Sequence, residues 1–166
     1  MDTPRLLGIY ICRAIQRKLQ MTEAQVYEAA VQGFVEGQPP SVVQVVPGAT
    51  QTEGGGHGAQ EGGAILRRQT YKLVYWHTAK MDPHGWTQQA LVEADNGILD
   101  FMEGLRKLFA LTTFGGLTYE VLRYEGESDT FIFDEDRGIL YRILTISAPY
   151  GESLPTTESV TLADVL

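Results

Sequence analysis

The sequence predicts an α+β domain: an antiparallel or mixed sheet packed against an amphipathic helix, with a long projecting β-hairpin. Three observations carry this expectation. Two runs rich in β-branched and aromatic residues, "SVVQVV" (41–46) and "AILRRQTYKLVYWHT" (64–78), flank a glycine-dense stretch. An apolar stripe of helical period runs unbroken from Leu91 to Phe109. Two further β-rich runs, "TFIF" (130–133) and "GILYRILTIS" (138–147), are joined by the turn "DEDRG". With 166 residues the chain is long enough to close one real core.

Taken in order, the first element is "TPRLLGIYICRAIQRKL", with Thr3 as candidate N-cap and Pro4 at the first helical position, where a missing N–H costs nothing. Leu7, Tyr10, Ile11, Ala14 and Ile15 fall at helical spacing, and Arg5, Arg13, Arg17 and Lys18 lie largely off that stripe. In "MTEAQVYEAAVQGFVEG", Thr22 and Gln25 are spaced as a capping box, and Val26, Tyr27, Ala30, Val31 and Phe34 would share a face. A short helix over 22–36 is therefore expected, weakened by Gly33 and Gly37.

Pro39-Pro40 breaks the chain before the strand 41–46, and Pro47-Gly48 stops that strand. Residues 48–63 then hold seven of the chain's eighteen glycines. A strand from Ile65 to Thr78 would be ~45 Å long at ~3.3 Å per residue. A globule of ~130 residues has a radius of gyration near ~14 Å, so such a strand bends or projects. Polar Arg67, Arg68, Gln69, Thr70 and Lys72 at its start, and apolar Leu73, Val74, Tyr75 and Trp76 at its end, favour projection of an arm spanning 42–78.

"MDPHGW" (81–86) is a turn, and Thr87 caps a helix from Gln88 to Phe109. Leu91, Ala94, Ile98, Met102, Leu105 and Phe109 stay within an arc of roughly 80° at ~100° per residue. The phase survives Asn96-Gly97, so one continuous helix is expected. Its stripe should pack on a sheet containing Leu73, Tyr75 and Ile143. "LTYEVLRY" (117–124), 130–133 and 138–147 are the remaining expected strands. From Ala148 onward the prolines and small polar residues read as extended, giving one domain over 1–150 and a tail over 151–166.

Thirteen basic against twenty-one acidic side chains give a formal charge of −8, too acidic for a protein that seeks out DNA backbone. Such a surface would tolerate DNA nearby without gripping it. Cys12 is alone, which leaves no internal disulfide, and its place on a helical apolar face fits a packed thiol. The first residues lack a signal-peptide pattern, and no apolar run approaches the ~18–20 residues of a membrane helix, so a soluble protein made in the cytoplasm is expected.

The glycine stretch lacks the Lys-Ser/Thr of a phosphate-cradling loop, and Glu61 stands where a dinucleotide fingerprint needs its third glycine. It also precedes a strand instead of opening a helix, so it reads as a hairpin tip. His57, His77 and His84 are the only imidazoles; His77, Asp82 and His84 surround one turn without a metal-binding spacing. Asp134, Glu135, Asp136 and Gly138 fit a solvated hairpin turn better than a calcium loop. Glu120, Glu125, Glu127 and Asp129 cluster around a strand end, and paired carboxylates can do acid/base work. No spacing fixes two of them together, and Ser41, Ser128, Ser147, Ser153 and Ser159 sit in no nucleophile elbow. No catalytic residue, metal or cofactor is expected. A small α+β enzyme using carboxylates in 120–136, or an adaptor that dimerises by strand addition, are the alternatives.

The element order, with segments such as "ADNGILDFMEGLRKLF" and "DEDRGILYRILTI", resembles the tail-terminator (neck, or head–tail joining) proteins of long-tailed bacteriophages over roughly residues 4–150. The segment 22–36 and the tail after Tyr150 fall outside the resemblance. What it implies is a structural virion protein, assembled in the host cytoplasm, that forms a homo-oligomeric ring, usually a hexamer. The ring would cap the tail tube protein and join it to a head-side connector or stopper. Genomic DNA would pass through the channel without sequence-specific binding, and no membrane is involved. A strand too long for its own globule would then find its partner surface on ring neighbours. Gly54, Gly55, Gly56, His57, Arg67, Arg68 and Lys72 are the candidate subunit-interface or channel arm. Leu91, Ile98, Met102, Leu105 and Phe109 are the candidate core helix.

Overall fold

A computed structural model describes residues 2–54, 64–79, 88–110 and 112–153. The elements run α1 (Thr3–Lys18), β1 (Val26–Glu28), β2 (Ser41–Gly54), β3 (Ala64–Thr78), α2 (Gln88–Phe109), β4 (Arg123–Glu127), β5 (Phe131–Asp134) and β6 (Ile139–Ser153). The six strands form one mixed sheet in the order β1-β2-β3-β6-β4, and β5 pairs the opposite end of β6 from β4. Only β1 and β2 run parallel. The fold is α+β, as the hydrophobic patterning predicts.

Helix α1 is capped one residue earlier than expected: Asp2 accepts from the Arg5 amide at 3.1 Å, which frees Thr3 to enter the helix. Arg17 and Lys18 close its last turn, where cations oppose the helix dipole. The expected helix over 22–36 does not form. Its capping contact does, with the Thr22 amide donating to Gln25 Oε1 at 3.0 Å, yet only one turn follows. The chain then straightens into β1, in register with β2 from Val26↔Val43 to Glu28↔Val45. Burial of Val26 against α1 and ladder pairing outweigh a helical propensity already weakened by Gly33 and Gly37. Residues 29–40 continue without regular structure.

The centre of the sheet is β3. It pairs β2 on one side, with register breaks after Pro47 and Thr52, and β6 on the other. Proline has no N–H to give the ladder, and the first irregularity sits at Pro47. The β3–β6 ladder has no break from Ala64↔Ser153 to Thr78↔Ile139. Two sequence expectations change as a result. The start of β3 is the middle of a three-stranded ribbon, and residues 148–153 are strand instead of tail. Residues 154–166 lie outside the described part. The expected strand 117–124 also shifts: residues 115–117 form a turn on Phe114, and β4 begins only at Arg123. The β5–β6 turn closes on Gly138, whose φ of 72° favours glycine. There the Arg137 amide donates to Asp134 Oδ1 at 3.1 Å.

One face of the sheet carries both helices. Ile98, Met102 and Leu105 of α2 are fully buried with Leu7, Ile11 and Ile15 of α1. Phe109 is nearly so, and Leu91 packs at the margin. They lie against Val43, Val45, Tyr71, Leu73, Tyr75, Leu144 and Ile146. Ile143 is not among them, contrary to expectation. It pairs with Val74, and both point to the other face, because strand side chains alternate. Leu144 takes the expected place. On that second face Val42, Val46, Val74, Trp76 and Ile139 form a separate core under residues 29–40, with Tyr27, Ala29 and Phe34 against it. Among the described residues no helix is long and apolar enough to cross a membrane.

Candidate functional site

From Pro47 onward, residues 47–53 of β2 are exposed at every position, beside the start of α1, which shares a cleft with Thr50. Gly54 ends β2, whereas Gly55, Gly56 and His57 lie outside the described residues. Arg67 pairs with Glu152 across the β3–β6 ladder and stays partly exposed. Thr50, Tyr150 and Asp2 join that pair around an open, polar cleft. Lys72 is exposed and, among the described residues, makes no ion pair.

Arg68 departs from the simple picture of a cationic arm. Its side chain is buried, and its guanidinium reaches Glu53 Oε1 at 2.5 Å, Glu120 Oε1 at 2.8 Å and Ser147 Oγ at 3.1 Å. Ser147 in turn donates to Glu125. The Tyr119 hydroxyl donates to Glu53 at 3.3 Å. Hydrogen bonding from Arg68 holds the Glu53 carboxyl below the usual carboxylate range. Arg68 thus ties β2, β3, β6 and the 119–125 segment together within one subunit. It is not free to meet DNA.

This network also accounts for much of the carboxylate cluster that suggested acid/base chemistry. Glu120 and Glu125 belong to it. Glu127 instead bridges Arg142, at 2.8 Å, and Arg106 of α2. Asp134 is held below its ordinary range by Arg137, which also pairs with Glu36. Each of these carboxylates faces a cation or hydroxyl, and no pair of them stands without a counter-charge, as a shared-proton dyad would require. His77 Nδ1 lies 3.3 Å from the Tyr75 hydroxyl, which lies 3.2 Å from Ser41 Oγ. Burial lowers the His77 pKa and raises that of Tyr75. Asp82 and His84 lie outside the described residues, and among the described ones no three metal-ligating side chains converge. Cys12 is buried, and desolvation, then Glu28, pushes its thiol up to about 12. At neutral pH it is a packed thiol and a poor nucleophile.

The second face of the sheet was the feature hardest to anticipate. Gln44, 2% exposed, holds the 29–40 segment onto it. Its Nε2 donates to the Gly33 carbonyl and the Tyr27 hydroxyl, and its Oε1 accepts from the Gly33 amide and from Trp76 Nε1 at 2.9 Å. All four hydrogen-bonding positions of the amide are used. Beside it, Phe34, Trp76, Tyr141, Phe131 and Phe133 form a run of contacting rings with centroids 4.7–5.9 Å apart. Arg137 lies over Phe34 at 5.1 Å. The sequence signal for this face was the unbroken run Leu73–Val74–Tyr75–Trp76, which calls for burial on both sides of β3.

No protein-family model matches the chain, and no curated protein is significantly similar to it in sequence.

Proposed function

We propose that this chain is a structural virion protein of a long-tailed bacteriophage, a tail terminator. Copies form a closed ring, a hexamer, that caps the tail tube and joins it to the head-side connector, with DNA passing through the channel. The observation that carries this reading is the outer ribbon: residues 47–53 are exposed at every position, on strands whose pairing continues to Ser153. An exposed, hydrogen-bonded stretch of strand is suited to lie against neighbouring subunits in a heterologous, ring-closing contact. Electrostatics support the same reading. With a net charge of −8 and Arg68 bound internally, few cations remain to neutralise phosphates, so DNA slides instead of sticking.

The test is complementation. Replacing residues 55–63 with Asn-Gly should leave the subunit folded, because hairpin closure depends only weakly on loop length. It should sharply lower the yield of infectious particles when supplied to a phage lacking the gene. Full infectivity, together with the absence of rings in negative-stain images of the purified parent, would overturn the proposal.

A further inference from the structure

Strand β5 is a short edge that leaves its apolar side chains in solvent. Its sole pairing among the described residues is to β6, and Phe131, Ile132 and Phe133 are 43%, 53% and 50% exposed. Only its brevity and the register shift before Asp134 blunt it, and three successive large apolar side chains in solvent work against that. Phe131 and Phe133 also extend the aromatic run of the second face, and Val31 and Val35 stand exposed on the segment that covers part of that face.

We propose that this edge and its aromatic face receive the segment 158–164 of a second copy of the chain, added as a strand alongside β5. The inference deepens the ring reading and rests on it for the occupant. The segment reads "ESVTLAD", in which Val160 and Leu162 alternate with small or polar residues, so an extended chain would present both to one face. Reach excludes the chain's own copy. Phe131 lies opposite Tyr141, and from Tyr141 to Ser153 the strand β6 covers ~40 Å at ~3.3 Å per residue. Val160 and Leu162 follow Ser153 by seven and nine residues, at most ~25 and ~32 Å of extended chain. Along a straight β6 neither would return to β5 of its own subunit. A donor segment on one subunit meeting an acceptor edge on the next is a heterologous contact.

Two full-length variants test this, one carrying Phe131→Cys and the other Leu162→Cys, mixed in equal amounts and oxidised; the native Cys12 is buried. The expected product is the mixed disulfide in several-fold excess over either homodimer. A statistical mixture or no cross-link overturns the proposal, as does a parent chain that stays monomeric at high concentration. A chain carrying both substitutions should cross-link between molecules, and an intramolecular disulfide at high dilution would overturn the reach argument. Substitution at Phe131 can unsettle β5, so a separate full-length variant, Val160→Asp with Leu162→Asp, leaves the described fold untouched. It should lose self-association, and normal assembly by it would also overturn the proposal. Mixed cross-links in purified protein, with heads and tails joining normally in a phage that lacks the gene, would support this inference and overturn the tail-terminator reading.

Discussion

On the helix-covered face of the sheet, Ile98, Met102 and Leu105 are fully buried; on the other, Phe131 and Phe133 keep about half their surface in solvent. Two periodic helices close the first face. An irregular segment closes the second in part, held by one glutamine amide and a set of rings. The difference teaches where stability and association reside. A face sealed by apolar stripes answers mainly to core volume, whereas a face tied down by hydrogen bonds answers to single polar atoms and leaves area for a partner.

The largest effect should come from the sealed face. Leu105→Ala leaves a cavity among buried neighbours and should cost about 2–5 kcal/mol, read as a lower melting temperature and denaturant midpoint. A variant that melts with the parent would mean that α2 does not seal this face. Next comes the tether of the second face. Gln44→Ala orphans the Trp76 N–H and both polar groups of Gly33, a loss of about 2–3 kcal/mol. It should also raise hydrogen exchange in residues 29–40 while leaving α1 and α2 protected. Uniform loss of protection would instead make the two faces one cooperative unit.

The smallest effect belongs to the ion network at the ribbon's base. Arg68→Met should cost about 1–2 kcal/mol at neutral pH, because its glutamate partners are partly exposed and recover some hydration. The sign with pH follows from Glu53. Its folded pKa is depressed, so its contribution is present above the ordinary carboxylate range and is lost as pH falls through the folded value. The gap between parent and variant should therefore narrow in denaturant titrations below about pH 4. A gap that stays constant down to pH 2 would remove Glu53 from the account.

Much of this architecture was legible in the residues, for reasons that are local. The stripe from Leu91 to Phe109 and its missing interruption at Asn96-Gly97 give α2 its observed bounds. The β-branched runs mark β3 and the starts of β2 and β6, but Pro47-Gly48 does not stop β2 as expected: the ladder shifts register there and runs on to Gly54. What misled were signals that tertiary contacts override. Thr22 and Gln25 form their capping contact and still fail to start a helix, because Val26 gains more by pairing with Val43. Ile143 and Leu144 could not be assigned to faces until the β3–β6 register fixed the alternation. The arm residues were harder again. Arg68 reads as an exposed cation in a polar run, and its partner Glu120 lies 52 positions along the chain.

The pairing of β3 with β6 also has a consequence in time. The sheet's middle strand ends at Thr78, but the strand that covers its second edge is not complete until Ser153. At ~5–20 residues per second, a ribosome needs ~4–15 s to make the intervening ~75 residues. Until Tyr141 to Leu144 are made, Leu73 to Trp76 have β2 beside them and no strand on the other side, a bare edge that is apolar on both faces. Slow, long-range closure of this kind leaves that edge open to mispairing while the chain is made.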